Sequence, residues 1–393
     1  MAEPIRHLRR HVALLSFFSF LGPFGGNMVL SMLHRLTQEF GTGLAVISLS
    51  VSLYMIPFAV LQLVAGPLSD LWDRRKTLML GIVVFIAGVL VCALAPSVHI
   101  FLVGRIISGL GYAFVTPAVF AMTGDIVPIP RRGKAMGWMG SMNMLGVALG
   151  PLMGGLFAEI DWRLAFYALA LIAAVGLTIF HFSDIAEAVE KAAAPPLRGM
   201  LRKAAGNWGL MVASATGFLA MFAYVSVLTS LSPYLARAPF EFSDSWVGGV
   251  IACAGIGGIL VSPVGGWIAD RAGRAATAAL GLACVAAAYG ALTMAHSWTV
   301  MACLFFIIGA AISFCWAGLI TLSVELLPAE RGTSTAIFNS VRFFGYALAP
   351  QFSSFLFVRA GMKPLFLTAA VCSVVGVLLA LALTKAERGG TKV

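Results

Sequence analysis

Two arginines interrupt apolar runs of this chain. Arg105 lies within IFLVGRIISGLGYAF and Arg342 within IFNSVRFFGYALAP. A guanidinium in such surroundings binds backbone carbonyls or an anionic ligand, and at the centre of a bilayer helix it costs ~2.5 kcal/mol or more. Arg342 falls about ten residues into its run, near mid-depth at 1.5 Å of rise per residue. Arg105 either faces a central cavity or snorkels outward. Together the two give any such cavity a positive fixed charge, which favours neutral or anionic ligands over organic cations. Carboxylates that could relay protons lie only at the edges of the apolar runs: Asp125 and Glu325 on one side, Glu159 and Asp161 on the other. His34 has a side chain suited to titration, but it stands at the end of its run.

Enzyme chemistry has no footing in this pattern. Acid–base or metal work needs His, Asp, Glu or Cys gathered at one place. The six cysteines (Cys92, Cys253, Cys284, Cys303, Cys315, Cys372) are scattered singly, with no CxxC pair. No Walker loop is present to bind ATP. The expectation is a non-enzyme with no metal and no cofactor.

The elements that position these residues follow from composition. Of 393 residues, 60% are hydrophobic and 11% charged, where soluble domains carry about 25% charged residues. Mean hydropathy is +0.96, so the solvent is lipid. A span needs about 20 apolar residues. That rule puts spans near 12–34, 45–68, 77–96, 98–124, 134–158, 163–183, 207–235, 245–269, 275–295, 297–325, 333–358 and 363–384. The hinges at Pro96 and His296 divide the closest neighbours. The first run is too long for a signal-peptide core and lacks an A-x-A-like cleavage site.

The net charge of +10 sits in short clusters between apolar runs, which excludes a nucleic-acid partner and orients the chain instead. Arg6, Arg9, Arg10, Arg74, Arg75, Lys76, Arg131, Arg132, Lys134, Lys191, Arg198, Arg202, Lys203, Arg271, Arg274, Arg331, Lys385, Arg388 and Lys392 fall on the side of the termini. Only Arg35, Arg163, Arg237, Arg359 and Lys363 fall on the other. By the positive-inside rule both termini are cytoplasmic.

The chain repeats itself. GPLSDLWDRRKT (66–77) matches GWIADRAGRAAT (266–277) at an offset of 200, pairing Gly66 with Gly266, Asp70 with Asp270, Arg74 with Arg274 and Thr77 with Thr277. DIVPIPRRG…GVALGP matches ELLPAERG…GYALAP in the same register, with one gap. Two six-helix bundles follow, 1–183 and 207–393, joined by a cytoplasmic linker at 184–206 whose Glu/Lys/Ala start predicts an amphipathic surface helix.

The loop Gly66-Pro-Leu-Ser-Asp70-Leu-Trp-Asp-Arg74-Arg75-Lys76 resembles the signature G-x-L-x-D-R-x-G-R-R-K of the major facilitator superfamily. Leu71 and Asp73 depart from it, whereas the second copy keeps Arg271 and Gly273. The resemblance implies a latch. Gly66 lets helices approach, Asp70 accepts from a facing helix N-terminus, and Arg74 pairs with Asp125, as Arg274 would with Glu325. Arg105-Ile-Ile-Ser-Gly109 resembles the family's R-x-x-Q-G. Gly146-Val-Ala-Leu-Gly150-Pro151-Leu-Met-Gly154-Gly155 resembles the antiporter string G-x-x-x-G-P-x-x-G-G, which in that family marks exporters. GNMVLSMLHRLTQEFG lines up with the drug-efflux form of the first helix, with Asn27 where relatives carry an acid.

These resemblances imply the bicyclomycin/chloramphenicol-type branch of drug:proton antiporters. The fold expected is all-α, with twelve transmembrane helices in two pseudo-symmetric bundles. The function expected is proton-coupled export of small amphipathic compounds by a monomer in the plasma or inner membrane. An organic-anion or metabolite carrier with a positive cavity is the alternative. The substrate and proton pathway would draw on Asn27, His34, Arg105, Asn143, Tyr224, Trp316 and Arg342. Phe222, Met221, Phe314 and Met142 are candidates for an adaptable apolar lining.

Overall fold

In hydrocarbon every backbone polar group must be satisfied within the protein, so spanning segments close their hydrogen bonds as helices. The computed structural model describes the backbone of all residues except 1, 72, 186–198, 200, 201, 203–205, 238, 296, 328–330 and 391–393. It leaves out the side chains of 2–7, 64–71, 129, 130, 133, 331 and 385–390. Among the described residues there are twelve long helices and no strand. They are α1 (Ala2–Glu39), α2 (Leu44–Leu71), α3 (Arg74–Ala93), α4 (Val98–Ile126), α5 (Ile129–Ile160) and α6 (Arg163–His181), then α7 (Trp208–Leu235), α8 (Asp244–Ala272), α9 (Arg274–Leu292), α10 (Trp298–Glu325), α11 (Arg331–Ala360) and α12 (Met362–Gly390). The surface helix expected at 184–206 falls largely on residues outside those described.

Eleven of the twelve are apolar enough to cross a membrane by composition alone. The exception, α11, has the length, at 30 residues, but carries Asn339, Ser340, Arg342, Gln351, Ser353 and Ser354. Protein rather than lipid meets several of these groups: Ser340, Gln351 and Ser354 bond to α2. Lipid-facing surface is supplied elsewhere, by exposed Leu171, Val175 and Ile179 on α6 and Val371, Val374 and Leu378 on α12.

Packing repeats between the halves. Helix α1 lies on α5, α2 on α4, α3 on α4 and α6; correspondingly α7 lies on α11, α8 on α10, and α9 on α10 and α12. The bundles meet through α2 with α11 and α5 with α8. The ends of α1 and α7 meet through Ser31 and Ser232, so the two bundles run parallel and both termini share one end, called here the terminal end.

The corner between the second and third helix of each half shows why the two loop copies differ. Gly273 holds φ 96°, a left-handed conformation that favours glycine. Asp73 holds φ −60° instead and caps α3 with its carboxylate, accepting from Lys76 N. One half turns the corner with a flexible backbone, the other with an N-cap.

Candidate functional site

The far end, opposite the termini, is sealed by backbone-to-backbone contact and by serine hydrogen bonds. On α5, a Cβ added at Gly155 would stand 2.1 Å from the Asp244 carbonyl oxygen of α8, and one at Gly248 would stand 2.3 Å from the Pro151 oxygen. Gly255, two turns farther along α8, meets Ala148 at 2.5 Å by the same measure. Such approaches exist only where side chains are absent. Glu159 of α5 accepts from Ser245 N at 3.2 Å, satisfying an orphan amide at the start of α8 from across the bundles. Ser232 of α7 donates to the Ser31 carbonyl of α1 at 2.9 Å and accepts from His34 N at 3.2 Å. Ser354 and Ser48 bond at 2.7 Å, and Gln351 reaches the Ala45 carbonyl at 3.2 Å.

At mid-depth the seal ends in a bridge. Tyr346 of α11 donates to Asn27 Oδ1 of α1 at 3.1 Å, while Asn27 Nδ2 returns to the Pro23 carbonyl at 2.7 Å. Nearby, Phe343 packs edge-on to Phe58 of α2, with ring centroids 4.8 Å apart, and Ser340 donates to the Ala59 carbonyl at 2.7 Å. Toward the terminal end the close approaches along the α5–α8 seam give out. Open space surrounds the Cβ positions of Gly137 and Gly140 on α5 and Gly266 on α8, and Trp138 and Ser141 are exposed. From these contacts we infer a cleft floored by the Asn27–Tyr346 bridge and open on the side of the termini.

Removing the bridge is expected to loosen the seal by about 1 kcal/mol, the usual net worth of one hydrogen bond. Tyr346→Phe then raises the far-open population roughly fivefold. The separation of spin labels at Ala45 and Val358, in a background free of native cysteines, reports that population.

The two arginines take opposite roles. Arg105 is buried, and its Nε donates to the Ser50 carbonyl of α2 at 2.9 Å. Its Nη1 donates to the Gly25 carbonyl of α1 at 3.0 Å, and the guanidinium lies 4.3 Å from the centre of the Tyr54 ring. It clamps three helices and does not offer its charge to the open cleft. Arg342 makes no hydrogen bond or ion pair among the described residues. It is stacked against Phe343 at 4.5 Å, Trp316 at 4.9 Å and Phe338 at 5.7 Å, and its Nε is buried without a partner.

At the terminal end Arg74 is hydrogen-bonded to Asp125, linking α3 to α4. Arg274 makes the equivalent bond to Glu325 at 3.4 Å and also pairs with Asp270. Arg75 donates to the carbonyls of Phe180 and His181 at the end of α6 and of Ser183 and Ile185 just beyond it, so it gathers the chain where the helix ends. Gly66 and Asp70 belong to the stretch whose side chains lie outside those described.

The sequence profile described as Major Facilitator Superfamily matches residues 15–350 and again 214–393. The chain belongs to that superfamily. Among its relatives, the uncharacterized MFS-type transporter YwfA of Bacillus subtilis (strain 168) is 27% identical over 369 residues, covering 88% of this chain and 85% of YwfA. Multidrug resistance protein 2 of the same organism is 38% identical over 125 residues, covering 30% of this chain and 31% of that protein. A bacterial homologue of the human lysosomal transporter Spinster, solved in an inward-facing and unoccupied conformation, has a TM-score of 0.80 at 14% identity, with 98% of each chain covered. The protein is thus a multi-pass membrane transporter.

Not all the residues singled out in this MFS transporter gather at the cleft. Asn27, Arg342 and Trp316 do. Asn143 is half-buried on α5, and Tyr224 is half-buried against the core of the second bundle. His34 stands at the far-end seal, with its ring beside Gln38 at 3.1 Å. Phe222 stacks on Phe218 and packs at a tilt against Phe352, and Phe314 fills the space beside Gly265 and Gly281, inside the second bundle. Of the antiporter string, Gly146, Gly150 and Gly154 lie on the α1 backbone, whereas Gly155 and Pro151 meet α8. Tyr346 and the serines at 48, 232, 340 and 354 had no signal in the sequence, because a serine in a spanning helix carries no mark of the helix it faces.

Proposed function

We propose that this transporter exports small amphipathic compounds by alternating access, the two bundles rocking about the cleft. The observation that carries this reading is the asymmetry of the bundle interface, joined from mid-depth to the far end and parted toward the termini. With the termini in the cytoplasm, as the Lys and Arg distribution argues, the cleft is open to the compartment from which an exporter loads. The antiporter string of α5 and the likeness to multidrug resistance protein 2 over 125 residues support the outward direction. In the opposite state the loop bearing Gly66 and Asp70, with its partner around Gly266 and Asp270, would close the cytoplasmic mouth. The pairs Arg74–Asp125 and Arg274–Glu325 hold those loops against their own bundles. The units that rock are residues 1–183 and 207–393, joined by 184–206, in a monomer of the plasma or inner membrane.

Protons are the candidate coupling ion. Asn27 carries none, so coupling runs through Asp125, Glu325 or His34, the two carboxylates each already bound to an arginine. Proteoliposomes loaded with a pH dye and made acid inside test this. Collapse of the gradient on adding an amphipathic compound, lost in Asp125→Asn, supports proton-coupled export. Substrate equilibration without proton movement instead supports the second reading, a facilitator or exchanger for organic anions, which the neutral Asn27 and the uncompensated Arg342 favour.

A further inference from the structure

Arg342 stands eleven residues into the thirty of α11, about 17 Å from its start, too deep for its side chain to reach either membrane surface. A charge at that depth is retained where it has a partner. Among the described residues no carboxylate or carbonyl supplies one, and its titratable neighbour is the buried Cys315 thiol of α10. The aromatic rings hold the guanidinium by their faces. These contacts consume none of its five N–H donors, and part of the side chain stays accessible.

Its position decides where those donors lead. Tyr346 is four residues on, hence on the same face of α11, and that face crosses to Asn27 of the other bundle. Arg342 therefore lies one turn below the bridge, about 6 Å toward the terminal end, at the floor of the open cleft. A preoriented fork with unused donors, ringed by Trp316, Phe338 and Phe343, matches a ligand with an anionic head and an apolar body.

We propose that Arg342 and its three aromatic neighbours form the anion subsite of the cleft, and that the substrate is an amphipathic monoanion bearing a carboxylate or sulfonate. This rests on the transport reading above and narrows it to one charge class. Bound substrate would neutralise the buried charge, so the loaded cleft would close over an uncharged pair.

The test is calorimetric binding of 2-naphthoate, 2-naphthamide and 2-naphthylmethylammonium to the purified full chain, with Arg342→Gln and Arg342→Lys beside it. The native protein is expected to prefer the carboxylate over the amide by ten- to a hundredfold, the range of a charge-assisted hydrogen bond, and to bind the ammonium weakest. Arg342→Gln drops that preference to about one and leaves amide affinity within about twofold. Arg342→Lys, which keeps the charge without the fork, restores part of it. Native protein that binds the ammonium as well as the carboxylate, or binds none of the three, overturns the subsite without the variants. So does a preference that survives in Arg342→Gln. The gradient assay separates the two claims: flux of cationic or neutral compounds with no anion preference leaves transport standing and removes the subsite alone.

Discussion

Gly155→Val is expected to open the far end of the cleft, whereas Gly154→Val, one residue away, is expected to weaken the protein without opening it. The Cβ of residue 155 would stand 2.1 Å from the Asp244 carbonyl oxygen on the opposite bundle, with Asp244 C and Ser245 Cα next nearest. All three are backbone atoms, so no side chain can rotate aside and α8 must move away from α5. A Cβ at residue 154 would meet the Met28 carbonyl oxygen at 2.2 Å, but Met28 belongs to α1 of the same bundle. There the strain strikes the body of the bundle. Overpacking of this kind costs about 1–3 kcal/mol, which shifts a two-state equilibrium by roughly 5- to 150-fold. The measurement is the far-end spin-label distance beside the thermal stability of both variants. Gly155→Val moves the first, Gly154→Val the second.

Arg105→Lys carries the second large effect. Arg105 ties α4 to the backbones of α2 and α1 through two separate nitrogens and stacks on Tyr54. Tyr54 in turn donates to the Gly22 carbonyl at 3.0 Å. An ammonium is a single compact charge and cannot span both carbonyls while covering the ring. Leaving a buried charge half-paired costs about 3–5 kcal/mol, expected as a fall in melting temperature of roughly 4–6 °C. Once only folded protein is counted, the KM of Arg105→Lys for a transported compound is unchanged. Arg342→Gln shows the converse: near-native melting and altered ligand preference. Equal effects of both variants on KM would mean that the two arginines share one binding role.

The sequence made part of this legible because some features are local or repeated. Each long apolar run had to become a helix, and the offset of 200 residues between GPLSDLWDRRKT and GWIADRAGRAAT exposed the duplication. The close approach of Gly146, Gly150 and Gly154 to one neighbour could be read from their spacing on a single helix face. What stayed hidden depends on how each helix is rotated in the bundle. Asn27 stood out as a polar residue in an apolar run, yet its partner Tyr346 lies 319 residues away. Most hydroxyls here bond to their own helix, as Thr123 does to the Val119 carbonyl. Nothing in composition marks Ser232 or Ser354 as crossing between bundles. Rotation also decided the arginines. With α4 turned toward α1 and α2, Arg105 bonds to backbone, whereas Arg342 has no hydrogen-bond or ion-pair partner among the described residues.

The most direct test of alternating access is the distance across each end of the interface in one preparation. Spin labels at Gly137 and Gly266 report the terminal end, and labels at Ala45 and Val358 report the far end. Both pairs would be measured by pulsed electron resonance in lipid nanodiscs, in the background free of native cysteines, with and without Gly155→Val. Alternating access gives a long terminal and a short far-end distance without the Gly155 change, and a new population in Gly155→Val with the two reversed. Two distances that lengthen together, or a terminal end that stays open as the far end parts, would contradict it: the bundles would then be separating rather than rocking.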